Sequence, residues 1–191
     1  MKSAGLIASL LVCFALGAEA QKLRGLDKSP MDMAYYPDDF AHDRKFAPAK
    51  VGNKVFARVT YSRPGKKERD VFGAMIPFGK VWRVGANEAT EVKFFTDATI
   101  QGKKVKAGVY SLYVIPTETE WMLILNTDLD QWGAYSYNPA LDVLRVTAPV
   151  KKAEETVENL SVQFRKAGDT VNESVLMIAW DKALVEVPVS F

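Results

Sequence analysis

The sequence predicts an all-β chain folded as an antiparallel β-sandwich, and three observations carry that expectation. From Lys54 onward, apolar and polar residues alternate in short runs of period two, the pattern of half-buried strands. Turn-forming clusters such as Arg63-Pro64-Gly65 separate the runs at the spacing expected of a sandwich or barrel. No stretch carries the apolar stripe of a long amphipathic helix. Roughly eight to eleven strands are expected, with a jelly-roll or barrel closure as the alternative arrangement. The short turns imply antiparallel pairing, because parallel strands need long crossovers.

The first twenty residues stand apart. Lys2 supplies a positive start, the run from Leu6 to Leu16 is almost wholly apolar, and Ala18-Glu19-Ala20 presents small residues where a signal peptidase reads. That run is well short of the ~20 residues needed to span a bilayer. A cleavable signal peptide over residues 1–20 is therefore expected, with the protein exported to the periplasm or the extracellular space and no stable membrane insertion afterwards. Cys13, the one cysteine of the chain, leaves with it. The exported chain then has no disulfide, no thiolate and no cysteine metal site. It must hold together by burial, which about 170 residues suffice to do.

Residues 21–53 read as an extended arm packing on the body. Pro30, Pro37 and Pro48 punctuate it, and no period persists. Residues 54–191 read as a single β-rich domain. Val55, Ala57, Val59 and Tyr61 alternate with Phe56, Arg58, Thr60 and Ser62. In Thr90–Asp97, Val92 and Phe94 oppose Glu91, Lys93 and Phe95. Val109–Ile115 and Trp121–Asn126 suit a hairpin across Pro116–Glu120. Lys151–Glu158, charged and without an apolar stripe, reads as a solvated connection. Leu160, Val162 and Phe164 against Ser161, Gln163 and Arg165 form the cleanest strand. Val171–Trp180 and Leu184–Val189 follow across an Asp181-Lys182 turn, and Pro188 makes the last run an edge strand.

Charge excludes some functions. Lys and Arg number 25 against 23 Asp and Glu, so no nucleic-acid or anionic-membrane footprint is expected. No G-x-S-x-G, G-x-G-x-x-G or Walker A sequence is present. The lone histidine, His42, lies among Asp38, Asp39 and Asp43. One imidazole without a thiolate makes a poor zinc set, and a hydrated arm explains the cluster. Asn126–Tyr137 places oxygens at alternate positions but has Gln131 and Tyr137 where a calcium loop wants Gly and Glu. No metal and no cofactor are expected. Lys66-Lys67-Glu68-Arg69 reads as a solvated hairpin tip.

Two turns gather chemistry. In Trp82–Thr90, Arg83 offers a planar fork of donors for a carboxylate or phosphate, Asn87 offers donor and acceptor, and Glu88 an acceptor or base. In Gln131–Tyr137, Trp132 and Tyr135 offer aromatic faces for a sugar or other amphipathic ligand. Each turn has a purely structural explanation: Arg83 pairing with Glu88 in the first, and Trp132 anchoring a folded-back loop in the second.

Several runs carry a family resemblance: Leu26-Asp27-Lys28-Ser29-Pro30, Tyr61-Ser62-Arg63-Pro64, Ile76 through Thr90, Ala107-Gly108-Val109-Tyr110-Ser111-Leu112, and Gln131-Trp132-Gly133-Ala134-Tyr135. Together they resemble the DUF2911 family of exported bacterial proteins, from about residue 26 to the C-terminus. The resemblance implies an envelope or secreted location and a single domain, and brings no catalytic residue. The first functional expectation is a non-catalytic ligand-binding module for a glycan or small envelope-derived ligand, with Arg83, Asn87, Glu88, Trp132 and Tyr135 as contacts. The alternatives are a hydrolase acting on a glycan or envelope component through Glu88 and a second carboxylate such as Asp142, and a scaffold domain with no small-molecule site.

Overall fold

The computed structural model describes residues 23–191; the expected signal segment, with Cys13, lies outside the described residues. Nine strands follow the chain: β1 (Met31–Tyr36), β2 (Ala57–Ser62), β3 (Thr90–Phe94), β4 (Ala98–Ile100), β5 (Lys103–Val105), β6 (Gly108–Pro116), β7 (Glu120–Asn126), β8 (Asp142–Lys166) and β9 (Glu173–Ser190). Two short helices, α1 (Phe40–Phe46) and α2 (Pro48–Val51), lie between β1 and β2. The strand order is β1-β2-β3-β6-β7-β8-β9-β4-β5, and every neighbouring pair is antiparallel. The all-β, antiparallel expectation holds.

The strands form one continuous open sheet rather than two separate ones, because β8 is long enough to serve both halves. Its residues 142–149 pair with β7 and its residues 150–166 with β9. The two halves meet in one core, where Val92, Leu112, Leu123 and Leu144 of the first share a cluster with Ile100, Leu176, Ile178 and Val187 of the second. Full burial of each such side chain contributes about 1.5–3 kcal/mol.

Period two explains most of these elements directly. Ala57, Val59 and Tyr61 of β2, Val92 and Phe94 of β3, and Leu160, Val162 and Phe164 of β8 all point into the core. The hairpin of β6 and β7 closes where Thr117 N–H donates to the Glu120 carbonyl at 2.9 Å.

Four segments differ from expectation. Residues 31–36, read as part of an arm, form the edge strand β1, paired with β2 along its whole length. Lys151–Glu158 belongs to β8, where register shifts between Lys152 and Val157 and again between Val157 and Ser161. Bulging lets a strand with no apolar stripe stay in the sheet. Asp181 sits at φ 54° inside β9, so the expected turn is a bend within one strand. Pro188 does not lie on an edge strand, since β9 runs between β8 and β4. Its pairing with β8 ends at Val185, so no β8 partner is left wanting the N–H that Pro188 lacks.

An aromatic cluster ties the halves together beneath the first candidate turn. Trp82 stacks on Trp180 at 6.0 Å and 18°, and meets Trp121 edge-on at 5.9 Å. Phe72 closes the group against Trp121 at 4.7 Å.

Candidate functional site

Trp82 is buried and hydrogen-bonded through its backbone to Val114 in both directions, so the turn that follows leaves the core from a fixed point. Thr90 closes it, its N–H donating to the Arg83 carbonyl at 3.0 Å and its hydroxyl to the Val84 carbonyl at 2.7 Å. Val84 and Asn87 adopt positive φ. The Ser62 hydroxyl grips the crest, accepting from Ala86 N–H and donating to its carbonyl. That approach requires Gly85, because a Cβ there would stand 2.8 Å from Ser62 Oγ.

The second turn docks on the first through the backbone. Ala89 N–H donates to the Gln131 carbonyl at 2.8 Å and Gly133 N–H to the Asn87 carbonyl at 2.9 Å, making Glu88 and Trp132 antiparallel bridge partners. Directly opposed residues carry their side chains on the same side, so the Glu88 carboxylate and the Trp132 indole are neighbours. Both are exposed; Trp132 keeps 57% of its surface and Tyr135 85%.

Arg83 lies toward Gly133 and Tyr135. A Cβ on Gly133 would stand 3.0 Å from the Tyr135 ring and 3.6 Å from Arg83 Nη1, and Gly133 has φ +70°. Glycine is therefore what lets the guanidinium and the phenol ring approach from one side of the loop. Burial lowers the Arg83 pKa from the ordinary arginine value, with the Tyr135 phenol acting in the other direction. Among the described residues the expected Arg83–Glu88 pair does not form, and Arg83 Nε is buried without a hydrogen-bond partner.

Asn87 turns to the N-terminal stretch. The Ser29 N–H first, then the Asn87 side chain, hold the Asp27 carboxyl below its usual range. The Glu88 carboxylate instead lines a concavity of about 270 Å³ with Met31, Thr60, Ala89, Glu91 and Asp130. The five candidate residues thus share one pair of docked turns, but not one pocket.

Tyr137, rather than Trp132, anchors the loop. Its ring meets Tyr113 edge-on at 5.1 Å, in a small cluster with Ala89, Ile124 and Ala134 on the outer side of β6 and β7. Its hydroxyl donates to Asp142 Oδ2 at 2.6 Å and accepts from Arg145 Nη2 at 2.9 Å. Arg145 Nε and Asn126 Nδ2 complete the set around Asp142, at 2.7 and 2.8 Å. Burial first, then the Asp142 hydrogen bond and charge, push the Tyr137 pKa up to about 12. Asp142 is thereby committed to holding the loop. The period-two pattern of β8 hides this role, because Asp142 stands at its first residue.

His42 is accounted for locally: its Nδ1 lies 2.8 Å from Asp43 Oδ1, and Lys50 Nζ lies 3.5 Å from Asp43 Oδ2. Among the described residues no group of three or more His, Cys, Asp or Glu could hold a metal ion, and no helix is long and apolar enough to cross a membrane.

Fold and site together define an all-β antiparallel domain that displays two docked turns bearing exposed aromatic and charged side chains. A family model described as "Protein of unknown function (DUF2911)" matches residues 44–189, and the chain belongs to that family. No curated protein and no solved structure matches it.

Proposed function

We propose that this protein is a non-catalytic binding module for saccharides, and that the docked turns at residues 83–88 and 131–135 are its recognition surface. The observation that carries the reading is the exposure of Trp132 and Tyr135 on a loop held rigid on both sides. Backbone bonds to the Gln131 and Gly133 positions secure one flank, and Tyr137 with Asp142 the other. Large aromatic faces left in water on a rigid loop suit stacking against the apolar face of a sugar ring. Glu88, the bridge partner of Trp132, and Glu91 and Asp130, which share its concavity, supply acceptors for hydroxyls, and Arg83 supplies donors. The signal pattern of residues 1–20 supports action in the periplasm or outside the cell, on glycans of the envelope or surroundings.

The test is a thermal-shift and calorimetric screen of residues 21–191 against oligosaccharides and cell-wall fragments. A ligand at about a hundred times its Kd adds about 2.7 kcal/mol. At about 2–4 °C per kcal/mol for a domain of this size, melting should rise by about 5–10 °C. Trp132→Ala and Tyr135→Ala should abolish that rise while melting near the wild-type temperature without ligand. A screen that yields no saccharide, or a response unaffected by either variant, sinks the proposal.

A glycan hydrolase is the second reading, favoured by one observation: Glu91 and Asp130 share the concavity of Glu88. It requires sugar release from a polysaccharide by wild type and its loss in Glu88→Gln.

A further inference from the structure

The guanidinium of Arg83 brings five N–H donors in a planar fork, and among the described residues none is used. No carboxylate lies within ion-pairing distance, no protein oxygen accepts a hydrogen bond from it, and Nε is fully enclosed. The nearest acidic residue in sequence, Glu88, faces the concavity of Glu91 and Asp130 instead. The one ionisable neighbour acting on Arg83 is the Tyr135 phenol. A half-buried cation carries a desolvation cost, and among the described residues no carboxylate pairs with Arg83 to offset it; only the Tyr135 phenol acts in that direction. The cost is also built in: Gly133, at φ +70°, leaves open the space beside Nη1 and the Tyr135 ring that a larger residue would fill.

We infer that the saccharide taken by this surface is acidic, its carboxylate or sulfate pairing with the Arg83 fork while its ring stacks on Tyr135. This rests on the saccharide reading above and names the ligand class. A planar guanidinium meets such an anion through two parallel hydrogen bonds, and Arg83 is the one cationic side chain of the docked turns, its enclosed Nε without a partner among the described residues. The surface is then divided by charge. Arg83 receives the anion, and Glu88 beside Trp132, with Glu91 and Asp130 in its concavity, accepts hydroxyls from the neighbouring sugar.

Three pairs of probes test this by calorimetry at low salt: uronate oligosaccharides against their methyl esters, sulfated oligosaccharides against desulfated ones, and inorganic phosphate against chloride. Esterification removes the charge and keeps the ring. Wild type should bind the acid on the order of tenfold or more tightly than the ester, the scale of a charge-assisted hydrogen bond. Arg83→Gln should lose that preference and retain weak ester binding, and Arg83→Lys should fall between. The sulfated pair tells whether carboxylate or sulfate is preferred. Phosphate binding as tight as that of the uronates would mean that a free anion suffices, overturning the sugar assignment. Equal affinity for acid and ester in wild type overturns the inference alone, and needs no variant to fold. Binding of no saccharide at all overturns it together with the reading it rests on.

Discussion

Replacing Tyr137 by Phe removes one oxygen and leaves the ring against Tyr113, so its effect isolates the hydrogen bonds that hold the aromatic loop. The lost donor bond to Asp142 Oδ2 is 2.6 Å long and charge-assisted, a class contributing about 1.5–3 kcal/mol. Asp142 keeps Arg145 Nε and Asn126 Nδ2 at 2.7 and 2.8 Å, which places the loss at the lower end, about 1.5 kcal/mol. At about 2–4 °C per kcal/mol, melting should fall by about 3–6 °C at neutral pH. The same bond has a titration signature. A folded pKa raised from 10.0 to about 12 stabilises the protonated phenol. Its contribution is whole below pH 10 and is lost as pH rises through about 12. An ultraviolet difference titration, wild type minus Tyr137→Phe, should therefore show one phenol ionising near pH 12. A melting change below about 1 °C, or a missing phenol that ionises near pH 10, would refute the role given to the Tyr137–Asp142 bond.

Other perturbations follow from the same geometry. Gly133→Ala forces an alanine to φ +70° with its Cβ 3.0 Å from the Tyr135 ring, which should cost about 1 kcal/mol or more by denaturant melts and displace Tyr135 from Arg83. Trp180→Ala removes the partner stacked on Trp82 and should cost about 3–5 kcal/mol, detected as a lowered urea midpoint. The Glu186 carboxyl is held below its ordinary range first by the hydrogen bond from Lys151 and also by Arg165. Its contribution is present above the unfolded carboxylate pKa and lost as pH falls through the lower folded value. Glu186→Gln should therefore destabilise at pH 7 and converge with wild type in acid, as followed by melting temperature against pH.

Where side chains alternate between core and water, the sequence was enough to find the strand: Leu160, Val162 and Phe164 are buried as their spacing requires. It was not enough for Lys151–Glu158, whose strand conformation depends on a partner distant in sequence. Lys66 N–H donates to the Glu158 carbonyl, and Gly65 bridges to Asn159, contacts that carry no side-chain period. Met31–Tyr36 reads as part of an arm for a related reason. It is an edge strand that buries Tyr36 but leaves Met31 and Met33 exposed, so its alternation is weak. In the candidate site, residue type singles out two turns that the structure docks against each other. What it could not supply was their docking, made by backbone atoms of Gln131, Gly133, Asn87 and Ala89, or the anchoring role of Tyr137. The contact between Asn87 and Asp27 also joins segments that no local pattern connects.

Trp132 allows the proposed recognition surface to be watched directly. The chain has four tryptophans; Trp82, Trp121 and Trp180 are buried, and Trp132 is 57% exposed. Acrylamide quenching of the folded protein should therefore report mainly on Trp132, and Trp132→Phe should remove most of the quenchable emission. Repeating the quenching with a saturating oligosaccharide from the screen should protect Trp132, as stacking of a sugar on its loop requires. A saccharide that binds, as judged by calorimetry, yet leaves Trp132 equally quenchable and binds Trp132→Phe and Tyr135→Ala as tightly as wild type, would show that recognition happens elsewhere on the molecule.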